Sequence, residues 1–250
     1  MTGDVGGTRP EMHISPDAGA LADEAARRFS AAAGAAITAR GRFTVALSGG
    51  STPKALFRLL AVPAARDAVD WGRVVICWGD ERCVPPDDEQ SNYRMTREQL
   101  LDHVPIPAAQ IHRIPAELPD HEAAADAYAA TLREVFACEP GALPRFDLIH
   151  LGLGTEGHTA SLFPGSPALG ERERLVAAPW VAKLDAWRIT LTPPVLNAAR
   201  EVQFLVAGKE KAAIVREILH APYDPETFPA QIVAPTAGRL LWLLDAAAAG

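Results

Sequence analysis

Cysteine is scarce in this chain. Three residues, Cys77, Cys83 and Cys138, occur among 250, with no CxxC pair. An odd count without paired spacing argues against a disulfide framework and fits three reduced thiols in a reducing compartment. No His or Cys cluster has the tight spacing of a zinc site. Long apolar runs are missing as well: nothing approaches the ~18 consecutive apolar residues that read as a membrane span. The first ten residues lack a basic start followed by an apolar core, so they do not read as a secretory signal. Positive charge is not in excess either. The formal net charge is -7, which argues against nonspecific nucleic-acid binding and against attraction to anionic membranes. The expectations are a cytoplasmic address, no nucleic-acid or membrane partner, and a monomer.

What is present suffices for a large core. Apolar residues make up 48% of the chain and charged residues 22%, so the composition is that of a folded protein. Residues 1–12 read as a flexible leader; Gly6-Gly7-Thr8 within it has no strand before it and is taken as tail. Between Asp17 and Arg40, Leu21, Ala25, Phe29 and Ala32 recur at spacings of three and four, which predicts an amphipathic helix. Arg42–Leu47 predicts a buried strand ending in Ser-Gly-Gly-Ser. Pro53 opens a helix to about Leu60, Pro being favoured in a first turn. Val74–Trp78 reads as a strand, Ser91–His103 as a helix, Ile111–Ile114 as a short strand and His121–Phe136 as a helix. Strands at Phe146–Leu151, Arg188–Leu191, Val202–Ala207 and Leu240–Leu244 and a helix at Lys209–Leu219 complete the pattern. Strands alternating with helices predict an α/β fold, a mainly parallel sheet with helices on both faces. No linker or repeat breaks residues 13–250, which read as one domain. Ligands of such sheets sit beyond the carboxyl ends of the strands, and there the Gly-rich and polar segments fall.

Four segments carry candidate chemistry. Ser48, Gly49, Gly50, Ser51 and Thr52 lie between a strand and a helix. Glycines there allow close backbone approach, and the helix start offers free N–H groups to an anion such as phosphate. The GxxxxGK[ST] spacing of a P-loop is absent. Asp80-Glu81-Arg82 follows the next strand; Arg82 can clamp an anion through its planar fork, and Asp80 or Glu81 can orient a neighbour or act as acid or base. Gly157-His158 follows a strand and a glycine loop, which makes His158 a candidate general base. The same stretch matches GxGxxG at Gly152, Gly154 and Gly157, but it lies deep in the chain and runs into Pro164 and Pro167 rather than a long helix, against a dinucleotide site. Arg188, and Lys209 and Lys211 near a helix start, add cations; those two lysines oppose the helix dipole unless an anion binds.

Taken as an ordered set, Ser-Gly-Gly-Ser-Thr-Pro at 48–53, Gly-Asp-Glu-Arg at 79–82, Ser-Asn-Tyr-Arg at 91–94, Gly-His-Thr-Ala-Ser-Leu-Phe-Pro at 157–164 and Leu-Thr-Pro-Pro-Val-Leu-Asn at 191–197 resemble the signature series of the 6-phosphogluconolactonase family, from about Arg42 to Asp245. The resemblance implies hydrolysis of 6-phosphoglucono-1,5-lactone to 6-phosphogluconate in the oxidative pentose phosphate pathway, with no metal and no redox cofactor. It implies a Rossmann-like fold shared with glucosamine-6-phosphate deaminase. By position it makes His158 the catalytic base and assigns phosphate to Ser48–Thr52, Arg82 and Lys211, with Arg188 reaching the substrate. Many members carry Asp before the Gly-His pair; this chain has Glu156, a carboxylate one methylene longer, as candidate partner of His158, with Asp80 as a second catalytic carboxylate. Two rivals share the fold. Amino-sugar-phosphate deaminases have Asn-Glu-Pro where this chain has Leu162-Phe163-Pro164, and a benzyl group moves no proton. A sugar-phosphate sensor would carry a DNA-binding module, for which residues 1–16 are too short.

Overall fold

The computed structural model describes residues 10–250. In chain order the strands are β1 (Glu11–Ser15), β2 (Phe43–Leu47), β3 (Val74–Trp78), β4 (Asp80–Arg82), β5 (Leu148–Leu151), β6 (Val176–Ala177), β7 (Trp180–Val181), β8 (Ala186–Leu191), β9 (Glu201–Val206) and β10 (Arg239–Asp245). The helices are α1 (Ala18–Arg40), α2 (Ser51–Ala61), α3 (Pro63–Arg66), α4 (Asn92–Gln99), α5 (His121–Phe136), α6 (Pro193–Ala198), α7 (Ala212–His220) and α8 (Ala246–Ala249).

Six strands form one sheet in the order β1-β10-β9-β5-β2-β3, every neighbouring pair parallel. Every residue of β2, β3 and β5 is buried. A strand buried on both faces must be covered on both, so the expected α/β sheet with helices on its two faces is what forms. The ends of α1 follow from local chemistry. Asp17 accepts a hydrogen bond from Ala20 N at 2.9 Å and caps the first turn, and Gly41, at φ 76°, closes the last. Tyr128 on α5 donates to Trp78 O and accepts from Trp78 N, both at 2.9 Å, and so fixes the helix to β3.

Four differences from the sequence reading matter. Strand β1 begins at Glu11, two residues inside the expected leader, because its backbone pairs with β10; residues 1–9 lie outside the described residues. Around Ile111 there is a single bridge to Ile76 rather than a strand. The segment at Lys209 starts as one 3-10 turn before α7. The strand around Arg188 does not join the parallel sheet. It is β8, the spine of a small antiparallel sheet flanked by β4 and β6, with β7 paired to its start.

From β2 the chain passes outward to the edge strand β3, then returns to β5 on the other side of β2. The order therefore reverses between β2 and β5, where their crossover connections diverge and a crevice opens at the carboxyl ends. The antiparallel sheet stands over that crevice.

Candidate active site

A cavity of about 400 Å³ fills the crevice. Its floor is Ser48 and Gly49 after β2 and Gly152 to Gly154 after β5. Asp80 and Arg82 from β4 and Arg188 from β8 form one wall. His158, Phe163 and Lys211 form another. Ten residues picked from the sequence line it, Ser48 to Thr52, Asp80, Arg82, His158, Arg188 and Lys211, whereas Glu81 and Lys209 do not. Glu156 stands behind His158 instead.

The helix α2 starts at this cavity with no side-chain cap. Its N-cap is Gly50, at φ 110°. The first-turn N–H groups are therefore left for a ligand or water. The antiparallel pairing sets Arg82 directly across from Arg188. Burial, and then the nearby Arg82 charge, pull the Arg188 guanidinium below its usual value. Among the described residues, Arg82, Arg188 and Lys211 make no ion pair with a carboxylate. Three unpaired cations in one cavity of an acidic protein make an anion site.

His158 lies flat on Phe163, ring centroids 4.1 Å apart and 20° between planes. The two glycine loops shape its place by close approach. A β-carbon on Gly154 would overlap the imidazole, and one on Gly49 would overlap the side-chain amide of Asn92. His158 Nδ1 stands 3.2 Å from Glu156 Oε2. Burial pulls the imidazole below its ordinary pKa, and the Glu156 carboxylate opposes that pull. Burial also works to raise Glu156. The hydrogen bond from Lys183, one from the residue's own backbone and the nearby positive charges together outweigh it and hold the carboxyl down at about 2. The pair at neutral pH is thus a neutral imidazole beside an ionised carboxylate.

Asp80 is buried and accepts a 2.7 Å hydrogen bond from Ser161 Oγ. Its backbone carbonyl accepts from Asn92 Nδ2 at 3.0 Å. Its neighbour Glu81 points the other way. It accepts from Ser91 Oγ at 3.1 Å and from Asn92 N and Tyr93 N, each at 2.8 Å, at the start of α4. Glu81 therefore caps a helix and is removed from the chemistry, although burial raises its pKa. Sequence reasoning missed Asn92, Ser161 and Lys183. The first two lie inside the quoted motifs, so their signal was present; Lys183 carries none. No group of three or more His, Cys, Asp or Glu among the described residues is arranged to hold a metal. No helix among them is long and apolar enough to cross a membrane.

Residues 16–242 match the profile of the family described as glucosamine-6-phosphate isomerases/6-phosphogluconolactonase. The 6-phosphogluconolactonase of Synechocystis sp. is 47% identical over 211 residues, covering 84% of this chain and 85% of that protein. The human 6-phosphogluconolactonase is 45% identical over 216 residues, covering 84% and 81%. Among solved structures, the 6-phosphogluconolactonase from Trypanosoma cruzi superposes with a TM-score of 0.85 at 29% identity, covering 96% of each chain.

Proposed function

Because the chain belongs to the glucosamine-6-phosphate isomerase/6-phosphogluconolactonase family, and is an enzyme of its lactone-hydrolysing branch, we propose that it opens 6-phosphoglucono-1,5-lactone to 6-phosphogluconate with His158 as general base on water. One observation carries the reading. A half-buried imidazole, its charged form disfavoured, shares a single cavity with three unpaired cations and an uncapped helix start.

The phosphate meets the Ser48–Thr52 loop, Arg82 and Lys211. Anchored there, the lactone presents C1 to His158, and orientation supplies part of the rate. A carboxylate beside Nδ1 favours the tautomer protonated at that nitrogen and leaves Nε2 to accept a proton. Water attacks C1 as Nε2 takes its proton. Negative charge gathers on the carbonyl oxygen, where Arg82 or loop N–H groups stabilise it. The C1–ring-oxygen bond then breaks, and the imidazolium returns the proton to the leaving oxygen. Asp80, fixed by Ser161, adds a buried negative charge that favours the imidazolium. Arg188 lies within the same wall and meets the sugar's oxygens. Phe163, stacked on the imidazole, offers no proton, which supports hydrolysis over amino-sugar deamination. Residues 13–250 act in this as one unit, nearly all their buried apolar residues forming one cluster. A cytoplasmic address and a monomeric state complete the proposal.

The test is hydrolysis of freshly generated lactone by wild type and His158→Ala. Loss of a general base lowers kcat by about 10²–10⁴-fold. Turnover within threefold of wild type would overturn the assignment.

A further inference from the structure

We propose that Lys183 is a positioning residue for the reaction: it holds the Glu156 carboxylate at the one place from which that group can orient and tune His158. The inference rests on the reading of His158 as the base.

The two oxygens of this carboxylate are divided between two partners. Oε1 accepts from Lys183 Nζ at 2.9 Å, and Oε2 faces His158 Nδ1 at 3.2 Å. Apart from these, its side-chain contact is Thr155 Oγ1 at 3.4 Å, a long hydrogen bond from the adjacent residue. A glutamate side chain has three torsions to fix. The lysine supplies the restraint, and it comes from a different part of the fold. Lys183 sits on a single turn, Ala182–Leu184, between β7 and β8. That turn is closed on itself: Asp185 N donates to Ala182 O at 3.2 Å, and Val181 and Ala186 are register partners at its base. The next residue, Leu184, lines the cavity. The ion pair therefore ties the antiparallel sheet, which carries Arg82 and Arg188, to the loop of the parallel sheet that carries the base.

The charged groups facing the imidazole are Glu156 on its own loop, Asp80 from β4 and Lys211 from the turn after β9. Arg82, Arg188 and Glu210 line the same cavity. In this setting the carboxylate stabilises imidazolium only while the ammonium holds it beside Nδ1. Losing either the ammonium or the carboxylate then moves the base in the same direction, downwards, the carboxylate's loss by more.

The experiment is the pH profile of kcat/KM for the whole protein and four variants. In Lys183→Met the acidic limb falls by about 0.2–0.7 of a pH unit, as the released carboxylate spends less time beside Nδ1. In Glu156→Gln it falls at least as far. In the double variant it matches Glu156→Gln, because the lysine acts through the glutamate. Lys183→Arg restores the wild-type limb. The lysine side chain is 68% exposed, so its removal leaves the core intact. An unmoved or rising limb in Lys183→Met, or a further shift when Lys183→Met is added to Glu156→Gln, overturns the proposal. Those outcomes are distinct from failure of the base itself, which shows as turnover surviving in His158→Ala.

Discussion

At the scale of single residues, the site depends on atoms that are absent. Gly154 has no β-carbon, and the imidazole of His158 occupies the space one would take. Gly154→Ala should therefore displace the ring and leave the sheet untouched. We expect kcat to fall at least about tenfold, since a misplacement near 1 Å can cost 10²-fold, with Tm within a few degrees of wild type. Unchanged turnover would show that the ring has room to move. Residue chemistry was the most legible level in the sequence. Hydroxyls, glycines, a histidine, Arg82 and Lys211 stood after predicted strands and Arg188 opened one, and those positions do converge on one cavity. Whether Asp80 or Glu81 faced the cavity was not legible. Adjacent carboxylates on a strand point to opposite faces, and nothing in Asp-Glu-Arg says which face is which.

Elements were readable where period and caps agreed. Strand β3 and helix α5 have the bounds expected of them, and α1 begins after its Asp17 cap. Strand β1 was not readable. It reads Glu-Met-His-Ile-Ser, has exposed Met12 and Ile14, and lies at a sheet edge where no apolar run is required. Nor was β4, three polar residues whose strand state exists only through pairing with β8, more than a hundred positions away. Glu81 shows how these pieces hold together. It sits on β4 and caps α4, so one buried carboxylate joins Arg82 to Asn92. Glu81→Ala would leave several buried N–H and O–H donors unpaired, each loss costing about 1–3 kcal/mol. We expect a stability loss of about 3 kcal/mol in urea unfolding, together with a raised KM as Arg82 and Asn92 shift. A KM equal to wild type would mean that β4 keeps its place without the cap.

At the scale of the whole molecule, one buried group couples stability to acid. His150 on β5 is fully buried; neither ring nitrogen meets full hydrogen-bond geometry among the described residues, although the Gln203 amide lies close enough to oppose in part the effect of burial. Burial lowers its pKa to about 4. Its unfolded value is near 6.5. Between these values the unfolded chain binds the extra proton, so this stability is present above pH 6.5 and is lost as pH falls towards 4. The full contribution is about 3 kcal/mol. Urea unfolding at pH 7 and pH 4.5 should show a drop that is smaller in His150→Gln; equal drops would assign the acid sensitivity elsewhere. The sheet order has a further outcome for biosynthesis. The edge strand β1 leaves the ribosome first of all the strands, yet its neighbour is β10, formed from Arg239–Asp245. At ordinary translation speeds the roughly 220 residues between them take about 10–45 s to make. For that time the nascent chain carries an unmatched strand bearing Met12 and Ile14, an edge open to pairing with another chain, so slower synthesis lengthens its exposure to aggregation.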